Sequence, residues 1–411
     1  MGIFKSADIL IPNPETDFSK WSVVACDQYT SEPKYWESVR EYVGDAPSTL
    51  NIIYPEIYLD AADSGDRIAR INKTMEEYMP LFDEYKDSYI YVERIQSDGR
   101  LRRGIVGVID LEEYDFSKGS VSAVRATEGT IIERIPPRKR IRENATLELP
   151  HIMMLTDDKE CKIIEPLSEK KAEFKKLYDF DLMMSSGHIT GYLLNDEAKV
   201  ELDRTLLAAE EEKRAENPNA PLIFAVGDGN HSLATAKTCW EEIKKNTGAE
   251  RHPARYALAE LVNLYDTALE FEPIHRVLFD VEPNKVMAEL EKYYPELSYE
   301  DNGGQKIKYC FGENKGTVYI SNAPSNLAIG TIQKFIDSYI EKNGGRADYI
   351  HGEDVVEELS RENGRIGFMV DGMEKTELYP TVIKDGSLPR KTFSMGNAAD
   401  KRFYLEAKRI K

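Results

Sequence analysis

Residues Val226 to Ser232 form a glycine-rich turn whose residue types suit the binding of phosphate. The turn reads Val-Gly-Asp-Gly-Asn-His-Ser and joins an apolar stretch, predicted as a strand, to a pattern predicted as a helix. Its glycines, Gly227 and Gly229, let the backbone approach a ligand closely. The helix N-terminus that follows offers unpaired N–H donors and the positive end of the helix dipole. The pattern therefore predicts a phosphate site.

Two polar residues of this turn could take part in chemistry. Asp228 could hold Mg²⁺ or orient a hydroxyl group, and His231 could contact a phosphate oxygen or shuttle a proton. The spacing matches neither a Walker A loop nor the G-x-G-x-x-G motif of dinucleotide-binding proteins. The alternative is an ordinary turn in which Asn230 or Ser232 caps the helix.

A basic segment lies upstream of the turn, between residues 125 and 142. It contains six basic and two acidic side chains (6 − 2 = +4), although the whole chain has a formal charge of −19. Guanidinium groups bind carboxylate and phosphate in a bidentate manner, so the segment suggests an anionic ligand. A solvated turn paired with acidic neighbours is the alternative, and Pro136-Pro137 predicts that no helix forms there. The basic residues are Arg125, Arg134, Arg138, Lys139, Arg140 and Arg142.

The periodicity of apolar residues predicts the elements that position these groups. Residues 22–29 are predicted as a strand, followed by a helix that ends at Gly44. Further strands are predicted at 88–94, 102–110, 221–226 and 255–265, and helices at 66–86, 167–180, 196–216 and 233–245. The first two of these strands are predicted to form a hairpin. Beyond residue 280 a second series begins, with helices at 285–294 and 329–341 and strands at 306–311, 315–320, 348–351 and 366–370. The last two strands flank residues 353–361.

These elements predict a mixed α+β fold in three parts. Residues 1–150 and 151–280 are expected to form one catalytic unit, and residues 281–411 a separate, smaller α+β lobe.

Composition excludes several classes of protein. The 41% hydrophobic and 31% charged residues indicate a globular chain, and the net charge of −19 argues against binding to nucleic acid. No apolar run reaches the roughly 18 residues of a membrane span. The start of the chain lacks the apolar core of a signal peptide, and the four cysteines show no C-x-x-C spacing. We therefore expect a cytoplasmic protein with reduced thiols. The sequence is also compatible with a homo-oligomer.

Several short motifs together resemble the bacterial and archaeal family known as domain of unknown function 1015. That family carries a D-G-x-H turn after a short strand, usually as D-G-H-H-R, where this chain has Asp228 to Ser232. Four further segments resemble family motifs in the same order: Cys26 to Ser31, Asn51 to Glu56, Thr127 to Thr130 and Pro273 to Val277. The resemblance extends over most of the chain.

The turn is also similar to one in the sulfiredoxin and ParB-like nucleotide-binding fold, which includes free serine kinases. The resemblance implies a ParB/sulfiredoxin-like phosphate-binding core. It also implies phosphoryl transfer, assisted by Mg²⁺, between ATP or ADP and a small hydroxylated metabolite such as serine or phosphoserine. The chain departs from the family turn, because Asn230 replaces a histidine and Ser232 replaces an arginine. The lost arginine weakens charge neutralisation unless the basic segment supplies it.

The resemblance suggests a role for each candidate residue. Glu128 would be the base for an alcohol nucleophile, and Asp228 and His231 would act at the phosphate. Each has an ordinary alternative: Glu128 as a surface carboxylate, Asp27 as a helix contact and His275 as a core histidine. The expected phosphate ligands are Gly227, Gly229, Asn230, Ser232, Arg125, Arg134 and Arg138, and the expected pocket residues are Asp27, Thr127, His275 and Arg276.

The sequence leaves two alternatives to a phosphotransferase. One is a phosphatase of a phosphorylated amino acid, and the other is a nucleotide-binding or sensing protein without turnover. The segment Arg390 to Arg402 is also open to two interpretations, since it could cover the phosphate site or form a basic tail.

Overall fold

The computed structural model describes residues 2–59, 61–389 and 391–411. The chain divides into two compact units. The first contains the residues up to Leu269 together with Asn397–Lys411, and the second is Glu270–Gly396. The chain therefore leaves the first unit and returns to it after the second is complete. Among the helices described, none has the length and apolar character needed to cross a membrane.

A mixed sheet is the centre of the first unit. Its neighbouring strands pair in antiparallel fashion except at two places, where Tyr256–Asn263 pairs in parallel with Met153–Thr156 and Phe224–Asp228 with Val124–Ala126. In sheet order the strands are Lys175–Asp181, His188–Leu193, Ile90–Ile95, Leu101–Asp110, Tyr256–Asn263, Met153–Thr156, Phe224–Asp228 and Val124–Ala126, with Phe4–Lys5 beside Leu101–Asp110.

Helices and three two-stranded ribbons surround this sheet. The helices of the first unit are Phe18–Trp21, Pro33–Val43, Ser64–Tyr78, Ile135–Arg142, Glu165–Lys170, Asp196–Glu216 and Asn230–Thr247. The ribbons pair Ala7–Pro12 with Phe82–Ser88, Val23–Val24 with Phe403–Tyr404, and Leu147–Glu148 with Lys408–Arg409. Two of the three ribbons thus use residues from the returning segment Asn397–Lys411.

The second unit is built on an antiparallel sheet. Its strands, in order, are Leu297–Ser298, Asn314–Ile320, Gln305–Phe311, Arg365–Met369, Phe271–Phe279 and Arg346–His351, with Phe393–Met395 beside Phe271–Phe279. Its helices are Pro283–Tyr293, Ala328–Asn343, Glu353–Ser360 and Leu378–Asp385. The α+β class predicted from the sequence is confirmed.

Long elements with strong local signals agree with the prediction. The helix Asp196–Glu216 begins where Asn195 Oδ1 accepts a hydrogen bond from the Ala198 N–H at 2.9 Å, and its buried residues are spaced by four. The hairpin of Ile90–Ile95 and Leu101–Asp110 also forms as predicted.

Four predictions about local structure were wrong. Pro136-Pro137 does not prevent a helix, because the two prolines lie in the first turn of Ile135–Arg142, where a missing N–H breaks no hydrogen bond. Only Val23–Val24 of residues 22–29 is a strand. The predicted helices 66–86 and 167–180 each run into a strand, because their ends pair with neighbouring strands. These strands are Phe82–Ser88 and Lys175–Asp181.

A buried cluster of charges joins the returning segment to the sheet. Arg402 forms ion pairs with Glu260 and Glu406, and its Nε donates to the Pro150 carbonyl at 3.2 Å. Arg102 lies 3.6 Å from Glu260 on the other side. Gly104 makes room for this arrangement, because a Cβ there would lie 2.4 Å from the Glu260 carboxylate.

Two further members of the cluster hold the residues just before Arg402. Arg94 is fully buried and donates to the carbonyls of Ser186 and Ala399 at 2.6 and 2.9 Å. Burial lowers its pKa to about 9. Asp400 accepts from the Ser97 N–H at 2.7 Å. The cluster thus combines the three arginines Arg94, Arg102 and Arg402 with the three carboxylates Glu260, Glu406 and Asp400.

Replacing Arg402 by methionine should lower the free energy of unfolding by about 3–5 kcal/mol, because Glu406 would stay buried without its cation and Glu260 would keep only the longer contact with Arg102. Urea unfolding followed by circular dichroism measures the loss. Arg409→Met is the control, since the Arg409 side chain is 51% exposed and its ion pair with Glu84 is 3.7 Å long. We expect this control to cost less than about 1 kcal/mol. Equal unfolding midpoints for the two variants would contradict the role given to Arg402.

Candidate functional site

The turn predicted from the sequence lies between the strand Phe224–Asp228 and the helix Asn230–Thr247. Pairing with the neighbouring strand shifts between Val226 and Asp228, which forms a bulge at Gly227. Gly229 has φ 79° and ψ 26°, and a Cβ there would lie 3.0 Å from the Ile152 Cα. Glycine is therefore required at this position. Because Gly229 also occupies the cap position, no side chain there accepts from the first N–H groups of the helix.

Asp228 is held by two contacts at the turn. Its Oδ1 accepts from the Gly229 N–H at 2.9 Å, and its Oδ2 lies 3.1 Å from the Lys401 Nζ. Burial acts to raise the pKa of this carboxyl, but the charge of Lys401 and the hydrogen bonds from Lys401 and the Gly229 N–H outweigh it, and the pKa is lowered. Asp228 is thus a carboxylate at neutral pH.

Lys401 belongs to the segment Arg390 to Arg402, for which the sequence allowed two interpretations: a cover over the phosphate site or a basic tail. The structure places Lys401 at the turn, while Arg390 lies outside the described residues. Asn230 is half-buried beside them, and its Oδ1 atom has no hydrogen-bond partner among the described residues.

His231, the second residue of the helix, is a neutral histidine at physiological pH. The Ile131 N–H donates to its Nε2 at 3.3 Å. Burial and the nearby charges of Arg138 and Arg134 lower its pKa to about 4, while Asp27 acts in the opposite direction. Arg138 belongs to the helix Ile135–Arg142, which packs against the helix that carries His231.

Arg138 and Arg134 lie next to each other on one side of the site. Arg138 forms an ion pair with Glu56, and its Nη1 donates to the Arg134 carbonyl at 2.8 Å. Arg134 is exposed and Arg138 is half-buried. The basic segment therefore places both guanidinium groups where their charges act on His231.

Arg125 does not join them. Its Nε donates to the Ser122 carbonyl at 2.8 Å and its Nη2 to the Ala220 carbonyl at 2.6 Å, and the side chain is buried. Ala220 precedes the strand that ends at the turn. The Arg125 guanidinium therefore stabilises the backbone before this strand, and neither of these two hydrogen bonds is to Asp228.

Thr127 and Glu128 follow the strand Val124–Ala126, which runs parallel to the strand of the turn. The buried Thr127 hydroxyl donates to the Val226 carbonyl at 2.6 Å, so it fixes the two strand ends together. Glu128 is exposed. It lies in the short segment that leads to Ile131 and hence to the backbone contact with His231.

His275 and Arg276 belong to the second unit. Arg276 is fully buried, donates from Nε to Gln333 Oε1 at 2.7 Å and lies over the Tyr349 ring at 4.7 Å. His275 is buried as well, and burial lowers its pKa. Both side chains pack within the second unit, and their predicted role in closing the pocket stays a prediction.

Two residues that the sequence did not single out lie at the centre of the site. The His151 Nε2 lies 3.0 Å from the Ser232 Oγ, and its Nδ1 lies 2.7 Å from the Tyr404 hydroxyl. The separations along the chain are 81 and 253 residues. No local pattern links residues so far apart, and only a lone histidine after Pro150 was available as a signal.

A cavity of about 150 Å³ opens beside Ser232 and His151. Its wall is mostly apolar, with Ile52, Ile53, Leu59, Met75, Ile141 and Leu147 among its residues. Two ion pairs, Arg138 with Glu56 and Arg142 with Glu148, also line it. Cys26 and Tyr404 complete the wall, and burial raises the pKa of the Cys26 thiol, which therefore stays protonated.

Solved structures with limited similarity to this chain include SbnI from Staphylococcus aureus with a C-terminal truncation. It shares 11% identity at a TM-score of 0.35, and the match covers 73% of this chain and 82% of SbnI. A free serine kinase in complex with AMP shares 10% identity at a TM-score of 0.38, and the match covers 74% of this chain and 90% of the kinase. A conserved hypothetical protein from Pyrococcus furiosus shares 10% identity at a TM-score of 0.36, and the match covers 74% of this chain and 94% of that protein. Scores this low support no inference about ligand or reaction, and the predicted ParB-like core stays a prediction.

The motifs quoted from the sequence agree with a comparison to protein-family models. No curated protein matches the chain. The model described as "Protein of unknown function (DUF1015)" matches residues 9–343, and the chain therefore belongs to this family.

Proposed function

We propose that the chain is a phosphotransferase that moves a phosphoryl group between an adenine nucleotide and a small hydroxylated metabolite such as serine or phosphoserine. The observation that carries the proposal is the turn at Gly229. There an 18-residue helix begins without a side-chain cap, just after the half-buried carboxylate of Asp228 and within the electrostatic influence of two arginines. Backbone N–H groups at such a helix start bind phosphate oxygens. The nucleotide and the metabolite follow from the resemblance of the motifs to those of nucleotide-using relatives.

Charge around the turn supports an anionic ligand. Lys401 contacts Asp228 at the turn, and the charges of Arg134 and Arg138 act on His231, in a chain whose formal charge is −19. A phosphate bound there could share Lys401 with Asp228 and Arg138 with Glu56. Such fixed positive groups stabilise the charge that spreads over the phosphoryl oxygens during transfer.

The residues divide the work of the proposed reaction. Gly227 and Gly229 allow the close approach of a phosphate, and Asn230, the first residue of the helix, offers its backbone N–H. Neutral His231 offers a hydrogen bond to a phosphate oxygen. Glu128, exposed at the end of the neighbouring strand, is the proposed base that takes the proton of the acceptor hydroxyl.

Mg²⁺ accompanies nucleotide phosphates in most phosphoryl-transfer sites, where one or two carboxylates complete its shell. Asp228 offers one carboxylate, which a cation would share with Lys401. Among the described residues, no group of three or more His, Cys, Asp or Glu side chains is placed to hold a metal. Mg²⁺ would therefore enter with the nucleotide, and Asp228 would be its protein ligand.

A ³¹P NMR time course with Mg²⁺ tests the reaction, once with ATP and L-serine and once with ADP and O-phosphoserine. We expect a new phosphoserine or ATP signal, and a rate at least about 100-fold lower in Asp228→Asn, because the carboxylate positions the reacting groups. Asp196→Asn is the control, since Asp196 is an exposed first-turn residue of another helix. Glu128→Gln should lose turnover and keep nucleotide binding.

Other outcomes of this experiment select the alternatives. Free phosphate released from phosphoserine without nucleotide would identify a phosphatase. Nucleotide binding without turnover in the unmodified chain would identify a sensor. No change in either tube and no nucleotide binding would overturn the proposal.

The pH response of His231 tests the electrostatics of the site separately. NMR titration of the histidine ring should give a midpoint near pH 4. Because this lies below the value of about 6.5 for an unfolded histidine, the folded state loses stability as the pH falls from about 6.5 toward 4. Arg138→Ala should raise the midpoint by removing a nearby positive charge, whereas Arg140→Ala, exposed on the same helix, should leave it unchanged. A midpoint near 6.5 in the unmodified chain would show that His231 lies open to solvent.

A further inference from the structure

Ser232, His151 and Tyr404 form a chain of hydrogen bonds that ends at the cavity. Ser232 Oγ lies 3.0 Å from His151 Nε2, and His151 Nδ1 lies 2.7 Å from the Tyr404 hydroxyl. The Tyr404 ring stands edge-on to the imidazole at 88°, and the Cys26 N–H donates to the Tyr404 oxygen at 3.2 Å. His151 and Tyr404 are both buried, so packing fixes their geometry.

This order of groups is that of a nucleophile, a base and the residue that orients the base. When His151 carries its proton on Nδ1, that N–H donates to Tyr404 and the free Nε2 accepts the Ser232 hydroxyl proton. The Ser232 hydroxyl then has its oxygen lone pairs available for attack on a group in the cavity, whose wall Ser232 forms.

The surroundings of Ser232 also suit a phosphate ester on its oxygen. Ser232 is the third residue of the helix Asn230–Thr247, whose N-terminus favours negative charge. Arg138 lines the same cavity and can neutralise a phosphoryl group there.

We propose that Ser232 is a catalytic nucleophile that carries the transferred phosphoryl group as a covalent phosphoserine, with His151 as its general base and Tyr404 as the residue that positions His151. This inference rests on the proposed function and adds to it an intermediate and a second base.

The two half-reactions balance as follows. In the first, Ser232 Oγ attacks the terminal phosphorus of the nucleoside triphosphate, the bond from that phosphorus to the bridging oxygen breaks, and the Ser232 proton passes to His151 Nε2. In the second, the hydroxyl oxygen of the acceptor attacks the phosphoserine phosphorus, and Ser232 Oγ leaves and takes back the proton from His151. The acceptor proton passes to Glu128.

The cavity indicates which acceptor fits the second half-reaction. Its wall is mostly apolar, and its polar parts are the Arg138–Glu56 and Arg142–Glu148 ion pairs. The two ion pairs match the charged ends of a small hydroxylated metabolite such as serine. A two-step path lets the nucleotide leave before this acceptor enters, so one cavity can serve both.

An alkyl fluorophosphonate tests the nucleophile without any nucleotide. The full chain is incubated with the probe, and the adduct is located by peptide mass spectrometry. We expect one adduct, on Ser232, which forms at least about 100-fold more slowly in His151→Gln. Thr238→Val, which removes a hydroxyl that donates to the Ala234 carbonyl on the same helix, is the control and should label normally. Absence of an adduct on Ser232 in the unmodified chain would overturn the proposal.

The variant Tyr404→Phe tests whether the Tyr404 hydroxyl positions His151, separately from the contribution of the ring to folding. The variant keeps the ring and loses the oxygen that accepts from His151 Nδ1. We expect the acidic limb of the pH–rate profile for labelling to move to lower pH, because the imidazolium loses an acceptor. A uniform loss of labelling with an unchanged profile would contradict the positioning role.

Acid quenching after mixing with ATP and Mg²⁺ tests the intermediate itself. We expect phosphate on Ser232 of the unmodified chain and none in His151→Gln. Phosphoryl transfer that persists in Ser232→Ala would overturn the intermediate and leave the proposed function standing. Fluorophosphonate labelling of Ser232 in a chain that neither binds nor turns over ATP would overturn the proposed function and the phosphoserine together, while Ser232 would remain a nucleophile.

Discussion

The ion pairs of Arg402 with Glu260 and Glu406 are the interaction on which the candidate site depends. Three arginines and three carboxylates meet there out of contact with water, and breaking one such buried pair is costly because the other charge stays behind. The cluster fixes the backbone on either side of Arg402. As a result, Lys401 forms an ion pair with Asp228, and the Tyr404 hydroxyl forms a hydrogen bond with His151.

The site therefore combines a local feature with a distant one. The turn, its glycines and the helix start come from one continuous stretch, and their geometry follows from a bulge and a left-handed glycine. The groups that set its chemistry arrive from elsewhere: Arg138 from a helix before it and Lys401 and Tyr404 from the segment that returns after the second unit. The balance of charge around Asp228 and His231 is a property of this assembly.

Sequence patterns predicted the features that depend on neighbouring residues. The family, the turn between a strand and a helix, the hairpin and the helix Asp196–Glu216 all follow from short-range signals. The patterns failed where pairing across the sheet decided the outcome, as for Lys175–Asp181. Arg125 is a further example, because its charge suggested a ligand contact. In the structure its guanidinium donates hydrogen bonds to the carbonyls of Ser122 and Ala220. The His151 contacts lay beyond any local pattern for the same reason.

The return of residues 397–411 to the first unit has a consequence for synthesis on the ribosome. The chain emerges in order, so the turn and His151 are made well before Lys401 and Tyr404, with the whole of the second unit between them. Asp228 therefore lacks its lysine partner, and His151 its tyrosine partner, until the second unit has been translated. Messages that end before residue 397 would yield protein with an incomplete site.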